Sequence, residues 1–178
     1  TFYVIQSGSL EFSIISSDGR KLSLDVMHSG AMFGEIALFD PGPRTATVIA
    51  LEPTRVWGIK NSDVIATLRK SPELAIDILR LAGQRMRWMD RQLNEQVFLP
   101  MPSRLARKIL YLTERPEGGH ATLALSQAEL AEFVGATREA VSKTLSSWKR
   151  MGVIDSARGA LSVVDRAALQ TLADPDQI

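Results

Sequence analysis

The sequence predicts an α+β chain in which strands come first, one long helix follows, and a helical region with a β-hairpin comes last. Three observations carry this. Short runs rich in β-branched and aromatic residues, separated by turn signals, fill the first third. A proline-free stretch with a seven-residue apolar repeat follows Pro72. The segment "SQAELAEFVGATREAVSKTLSSWKRMG", residues 126–152, then reads as helix, glycine turn, helix.

The strands are expected at residues 2–5, 10–15, 22–26, 45–50 and 55–59. Ser7-Gly8, Ser17-Asp18-Gly19, Ser29-Gly30 and Glu52-Pro53 punctuate them, a spacing that suits a sandwich or barrel. Asn61-Ser62-Asp63 has the composition of a helix cap. Ser71-Pro72-Glu73 is a sharper one, with proline at the first helical position and an acid in the first turn. From there to about Leu99 the helix carries Leu79, Met86 and Leu93 in one row, Ala75, Ala82 and Met89 in a second, and Val97 beside them. This stripe predicts a dimer seam formed by Leu79, Ala82, Met86, Met89, Leu93 and Val97. Leu99-Pro100-Met101-Pro102-Ser103 should stop the helix and act as a hinge.

Beyond the prolines, helices are expected at 104–113, 127–134 and 138–151. Apolar runs at 153–154 and 161–164 flank Ala157-Arg158-Gly159 as a hairpin, and a last helix should span 166–172. Ser126 and Glu129 have capping-box spacing. Gly135 stands where a tight turn needs a positive φ. Thr137 can cap the second helix, whose Val141, Leu145 and Trp148 form the buried face. In a helix-turn-helix the second helix enters the major groove of DNA. Its outer face here holds Thr137, Arg138, Glu139, Ser142 and Lys143. Arginine can grip guanine and glutamate can accept from cytosine. Arg138, Lys143, Lys149 and Arg150 against Glu139 leave a local excess of three positive charges. Ser126 and Gln127, at the start of the first helix, and Arg158, at the tip of the hairpin or wing, complete the candidate DNA-binding set.

Composition narrows the function classes. The chain has 178 residues, 45% hydrophobic and 23% charged, with a net charge of +1, as in a soluble globular protein of one or two domains. The absence of cysteine excludes disulfides, thiolate zinc sites and cysteine-ligated iron–sulfur clusters from this stretch. His28 and His120 are the only imidazoles, far apart in sequence, so neither a metal centre nor a histidine-based triad is expected. No metal cluster or nucleophile–base pair points to an enzyme. No run is long enough to cross a bilayer and no signal peptide is visible, so a cytoplasmic protein that does not engage membranes is expected. The chain opens on Thr1 inside an apolar segment, and a preceding segment is expected. Trp57 and Trp148 are expected in cores, and Trp88 against the strands.

"GEIALFDPGPRTATV", residues 34–48, puts a glutamate and an arginine at the two ends of a loop stiffened by Asp40-Pro41-Gly42-Pro43. A carboxylate can accept from ribose hydroxyls, a guanidinium can fork onto a phosphate, and backbone N–H groups after Gly34 can add an anion cradle. The same two residues could equally form a surface ion pair of little consequence. The residues by themselves leave both readings open.

The order "FGEIALFDPGPRTATV" closely resembles the phosphate-binding cassette of cyclic-nucleotide-binding domains. With the strands before it, the long helix and the winged helix-turn-helix, the chain from Phe2 to about Val164 resembles the cyclic-AMP receptor protein and fumarate–nitrate regulator (Crp/Fnr) family of bacterial transcription regulators. The resemblance implies three parts: a cyclic-nucleotide-binding β-roll at 1–70, whose remaining strands precede Thr1, a dimerisation helix at 71–99 and a winged helix-turn-helix at 100–178. It implies that Gly34 and Glu35 hold the ribose end of a ligand, Arg44 the cyclic phosphate with Thr45 beside it, and Ile36 and Ala37 lend backbone groups. Arg85 matches a helix arginine near the pocket. Thr137, Arg138, Glu139 and Lys143 match base- and phosphate-contacting positions. Lys143 stands where well-known members have arginine, and Met89-Asp90 where cyclic-AMP binders carry hydroxyl residues.

The implied protein is a homodimeric, ligand-responsive regulator that binds a palindromic operator in double-stranded DNA and works with RNA polymerase. It needs no covalent cofactor. Its effector would be a cyclic nucleotide: cyclic AMP, cyclic GMP or cyclic di-GMP. The alternatives are a regulator of the same family that senses redox state, a gas or no small molecule, and, more remotely, a cyclic-nucleotide-regulated enzyme subunit.

Overall fold

The computed structural model describes residues 1–114, 122–157 and 160–174. The chain divides into two units, Thr1–Leu93 and Asn94–Ile178.

In the first unit, β1 (Phe2–Ser7), β2 (Ser9–Ile15), β3 (Lys21–His28), β4 (Met32–Phe33), β5 (Thr47–Ala50) and β6 (Arg55–Ile59) form two antiparallel sheets, ordered β4-β1-β6 and β3-β2-β5. Alternation along β1 sends its side chains two ways. Ile5 joins Leu10, Phe12 and Met27 in a core drawn from both sheets, with Ala31, Phe33 and Ala46 against it. Phe2 points to Leu38, Val64 and Ile78, which tie β1 to α1 (Ile36–Phe39), α2 (Asn61–Lys70) and α3 (Pro72–Phe98).

Several local expectations are corrected here. The run after Glu35 is one turn of helix, α1, rather than loop. It lacks a side-chain cap, so capping rules give no signal for it. Asn61 does not cap α2, since the N-cap is Lys60; its amide instead donates to Ala37 O at 2.7 Å and ties α1 down. Trp57, expected in a core, is 60% exposed in the described chain, on β6, which among the described residues pairs only with β1. Trp88 is half-buried.

In the second unit, α4 (Met101–Leu112), α5 (Gln127–Val134), α6 (Arg138–Arg150) and α7 (Arg166–Ala173) surround one apolar core, and β7 (Ile154–Ala157) pairs with β8 (Ala160–Val163). Leu105, Ile109, Leu130, Val141, Leu145, Trp148, Ile154 and Leu169 are all buried there. The helix α4 starts earlier than expected. Pro102 lies in its first turn, where a missing N–H leaves no hydrogen bond unmade.

Helix ends are closed by arginines. Arg166, in the first turn of α7, donates to Leu110 O and Thr113 Oγ1 at the end of α4. Arg107 returns from α4 to Ala173 O at the end of α7. A cation at a helix C-terminus satisfies orphan carbonyls and opposes the negative end of the helix dipole.

Candidate functional site

The first site is built around the turn from β4 into α1. Gly34 has φ +84°, and a Cβ there would come within 3.1 Å of both Arg44 Nη1 and Thr1 O. A side chain would therefore be strained by the backbone and crowded against the guanidinium. Glu35, the next residue, is buried at 7% exposure. A buried carboxylate needs compensation. Its charge partner is Arg85 of α3, with Nε 3.8 Å from Oε1. Arg85 also donates to Met32 O at 2.8 Å and approaches Met27 Sδ at 3.2 Å. Arg44 is exposed, donates to Thr1 O at 2.9 Å and lies 5.7 Å above the Tyr3 ring. Tyr3 in turn stacks on Phe33 at 4.9 Å, and Phe12 meets Phe33 edge-on.

Two guanidinium groups thus converge on the Gly34–Glu35 step, beside an aromatic wall. Positive charge, an acceptor carboxylate and ring faces are the complement of a phosphorylated sugar carrying a base. Thr45 is exposed next to Arg44, and Ile36 and Ala37 are the first residues of α1. Met89 and Asp90 are exposed on α3, one helical turn beyond Arg85. Sequence reasoning misses the packing of Tyr3, Phe33 and Phe12 behind Arg44. Their alternation in short strands registers only as strand content, and the pairing that brings Tyr3 opposite Phe33 is long-range.

The stripe on α3 is open. Leu79 is 61% exposed, Met86 70%, Met89 60%, Leu93 64% and Val97 62%, while Ala82 is half-buried.

The second site begins at Ser126. Its Oγ accepts from Glu129 N at 3.2 Å, and Glu129 Oε2 accepts from Ser126 N at 2.7 Å, completing the capping box. Gly135 takes φ +62° and ends α5. Thr137 Oγ1 accepts from Ala140 N and starts α6. Arg138, Glu139 and Lys143 are exposed, and Ser142 is half-buried. Ser126 is exposed and Gln127 half-buried at the start of α5. Arg158 lies outside the described residues, as does His120.

Lys149 differs from the sequence reading. It donates to Ser156 O at 2.7 Å and pairs with Asp155 at 2.9 Å. The hydrogen bond and charge of Lys149 hold the Asp155 carboxyl below its ordinary value. Lys149 therefore ties α6 to β7, and the local cationic excess on α6 is smaller than the count of side chains suggests. Among the described residues there is no cluster of histidine, cysteine and acidic groups able to hold a metal ion, and no helix is long and apolar enough to cross a membrane.

Comparison with known proteins adds to this geometry. Residues 1–71 match the family model of the cyclic nucleotide-binding domain, and residues 103–172 that of the Crp-like helix-turn-helix domain. A CRP-like cAMP-activated global transcriptional regulator of Mycobacterium tuberculosis is 34% identical over 157 residues, covering 85% of this chain and 70% of that protein. The cyclic AMP receptor protein of Thermus thermophilus is 29% identical, covering 96% of this chain and 78% of that protein. A solved CRP/FNR-family transcriptional regulator, also from Thermus thermophilus, superposes with a TM-score of 0.81 at 26% identity, covering 97% of this chain and 87% of that one. The c-di-GMP-responsive global regulator CLP of Xanthomonas campestris shares the fold, with a TM-score of 0.80 at 23% identity, covering 91% of this chain and 83% of that one.

Proposed function

This chain belongs to the Crp/Fnr family of transcription regulators, and from that premise we propose that it is a homodimeric, cyclic-nucleotide-gated, sequence-specific DNA-binding regulator. The observation that carries the reading is the convergence of Arg44 and Arg85 on Gly34–Glu35 in the same chain as a capped helix-turn-helix with an exposed reading face. Arg44 takes the cyclic phosphate, Glu35 the ribose, and the first backbone groups of α1 complete the cradle. Arg85 connects the cradle to α3, the helix that carries the dimer stripe. Ligand then acts through its different affinity for two arrangements of the dimer. The relatives' names support a cyclic nucleotide and a role in transcription. In that role the chain works with RNA polymerase in the cytoplasm. Calorimetry against cyclic AMP, cyclic GMP and cyclic di-GMP tests the effector; no binding by any of the three would remove the gating.

On the DNA side, Arg138 lies at the first turn of α6, where side chains reach base edges. Arg138→Ala should cost about 1–3 kcal/mol on the preferred site and relax selectivity at one base pair. Lys143→Ala should weaken all sequences alike. Selection from random duplexes should return a two-fold symmetric site with half-sites about one helical turn apart. Sequence-blind binding by a monomer would contradict the proposal.

The base end of the pocket carries a second, narrower reading. Asp90 offers only acceptors when ionised, unlike a hydroxyl. Guanine presents two adjacent N–H donors that match a carboxylate's two oxygens, and adenine presents one amino group. Asp90→Ser should therefore raise the ratio of cyclic AMP to cyclic GMP affinity severalfold. An unchanged ratio would mean that the carboxylate does not read the base.

A further inference from the structure

The connection between α3 and α4 is Leu99-Pro100, with a second proline one residue into α4. Prolines have no N–H to donate, so little of the backbone can hold such an elbow. Its own bonds are Leu99 N to Glu95 O at 3.0 Å and Arg104 N to Pro100 O at 3.1 Å. The dihedrals at Leu99 and Met101 would otherwise be soft, and the last carbonyls of α3 need donors.

Arg104 of α4 supplies one, to Leu99 O, and Arg107 of α4 adds a bond to the Glu95 side chain. Arg104 donates through Nη1 to Leu99 O at 2.9 Å, and through Nε and Nη2 to Val134 O, both at 3.3 Å. Val134 is the last residue of α5, directly before the Gly135 turn. One planar guanidinium therefore joins the end of the long helix to the end of the first helix of the helix-turn-helix. Arg107, one turn further on, repeats the arrangement. Its Nη1 meets Glu95 Oε1 at 3.2 Å, its Nη2 meets Asp174 Oδ1 at 2.6 Å, and its Nε donates to Ala173 O at 3.1 Å. Each arginine has one arm at the end of α3 and another on a helix of the DNA-reading unit. A lysine carries its three donors on one nitrogen, without the planar fork that spaces Nη1 and Nη2 towards separate acceptors. Asn94–Phe98, the last turn of α3, falls within the same compact unit as α4 to α7.

We propose that Arg104 and Arg107 are positioning residues that stiffen the proline elbow, so that a movement of the last turn of α3 is delivered to the α5–α6 pair instead of being absorbed at residues 99–103. The source of that movement rests on the ligand-gated reading above; the stiffness of the joint does not.

The test uses the whole chain with three substitutions, Arg104→Lys, Arg107→Gln and Glu95→Gln, the last being an isosteric change that keeps the arginines. Hydrogen exchange should quicken about tenfold at the Leu99 and Arg104 amides, the two bonded N–H groups of the elbow, the factor expected for loss of one charge-assisted hydrogen bond. Exchange in the core of α6 should stay unchanged. With cyclic AMP as the probe, the ratio of DNA affinities with and without it should fall in each variant, while cyclic AMP affinity itself is retained. Helix-capping arginines with only a stabilising role would quicken exchange across the whole unit and leave the affinity ratio intact, which overturns the proposal. So does unaltered exchange at the elbow. A native chain whose DNA affinity ignores cyclic AMP removes cyclic AMP as effector, and the elbow amides then decide the joint by themselves.

Discussion

Arg44→Ala should weaken binding of any cyclic nucleotide by roughly a hundredfold, corresponding to about 3 kcal/mol for a forked, charge-assisted phosphate contact. The fold should survive. Arg44 is exposed, and its only described attachments are the Thr1 carbonyl and the face of Tyr3. Exposed contacts of that kind contribute on the order of 1 kcal/mol or less. Calorimetry paired with thermal unfolding separates the two effects. Lost binding with a preserved melting temperature is the expected result; undiminished affinity would show that the phosphate is held elsewhere. Arg85→Ala should behave differently. It would leave Glu35 buried without its charge partner and free the Met32 carbonyl, so affinity and stability should fall together.

Leu93→Glu should convert the proposed dimer to monomer in analytical ultracentrifugation. Leu93 is 64% exposed in the isolated chain, so the substitution costs the protomer itself little. Across a two-fold axis it acts twice. Two leucine side chains lose burial, at about 1.5–3 kcal/mol each, and two carboxylates approach one another. Those losses are a large share of the roughly 8 kcal/mol that corresponds to a micromolar dissociation constant. Specific DNA affinity should collapse with it, because a single reading helix makes too few contacts. A variant that remains fully dimeric would place the seam away from Leu79, Met86 and Leu93.

What is legible in the sequence is mostly local. The capping box of Ser126 and Glu129, the positive-φ Gly135 and the cap at Thr137 lie within a dozen residues. Their chemistry does not depend on the rest of the chain, so α5 and α6 can be placed to within a residue. The long α3 announces itself equally well; the β7–β8 hairpin does so in outline only, since β7 runs on to Ala157, a residue the sequence reading places in the turn. The failures are of two kinds. The helix α1 and the strand β4 span only four and two residues, too short for any periodicity to register. Residue type alone suggests a core place for Trp57, which is exposed in the described chain, and the pairing of β6 with β1 that sets its surroundings is long-range. For the site, Gly34, Glu35 and Arg44 are close in sequence and match a familiar cassette, and the structure brings Arg44 beside Gly34. The partners of Arg85, at Met27 and Met32, are 58 and 53 residues away. The elbow arginines reach Val134 and Asp174 across separations of 30 and 67. No spacing rule anticipates such pairings, because tertiary packing chooses them.

The division of faces on α6 has an evolutionary corollary. Val141, Leu145 and Trp148 point inward and are nearly inaccessible, whereas Arg138, Glu139 and Lys143 contribute nothing to that core. Substitutions on the outer face therefore leave folding almost untouched, so mutation can explore new operators without first acquiring a stability reserve. Duplicated genes for such a chain can diverge in target while keeping the same scaffold. Lys149 sets the limit of that freedom: although it lies on the same helix, its bonds to Asp155 and Ser156 tie it to the hairpin. Drift at Lys149 would disturb the hairpin, whereas drift at Arg138, under its proposed base-reading role, would change which DNA sequences are addressed.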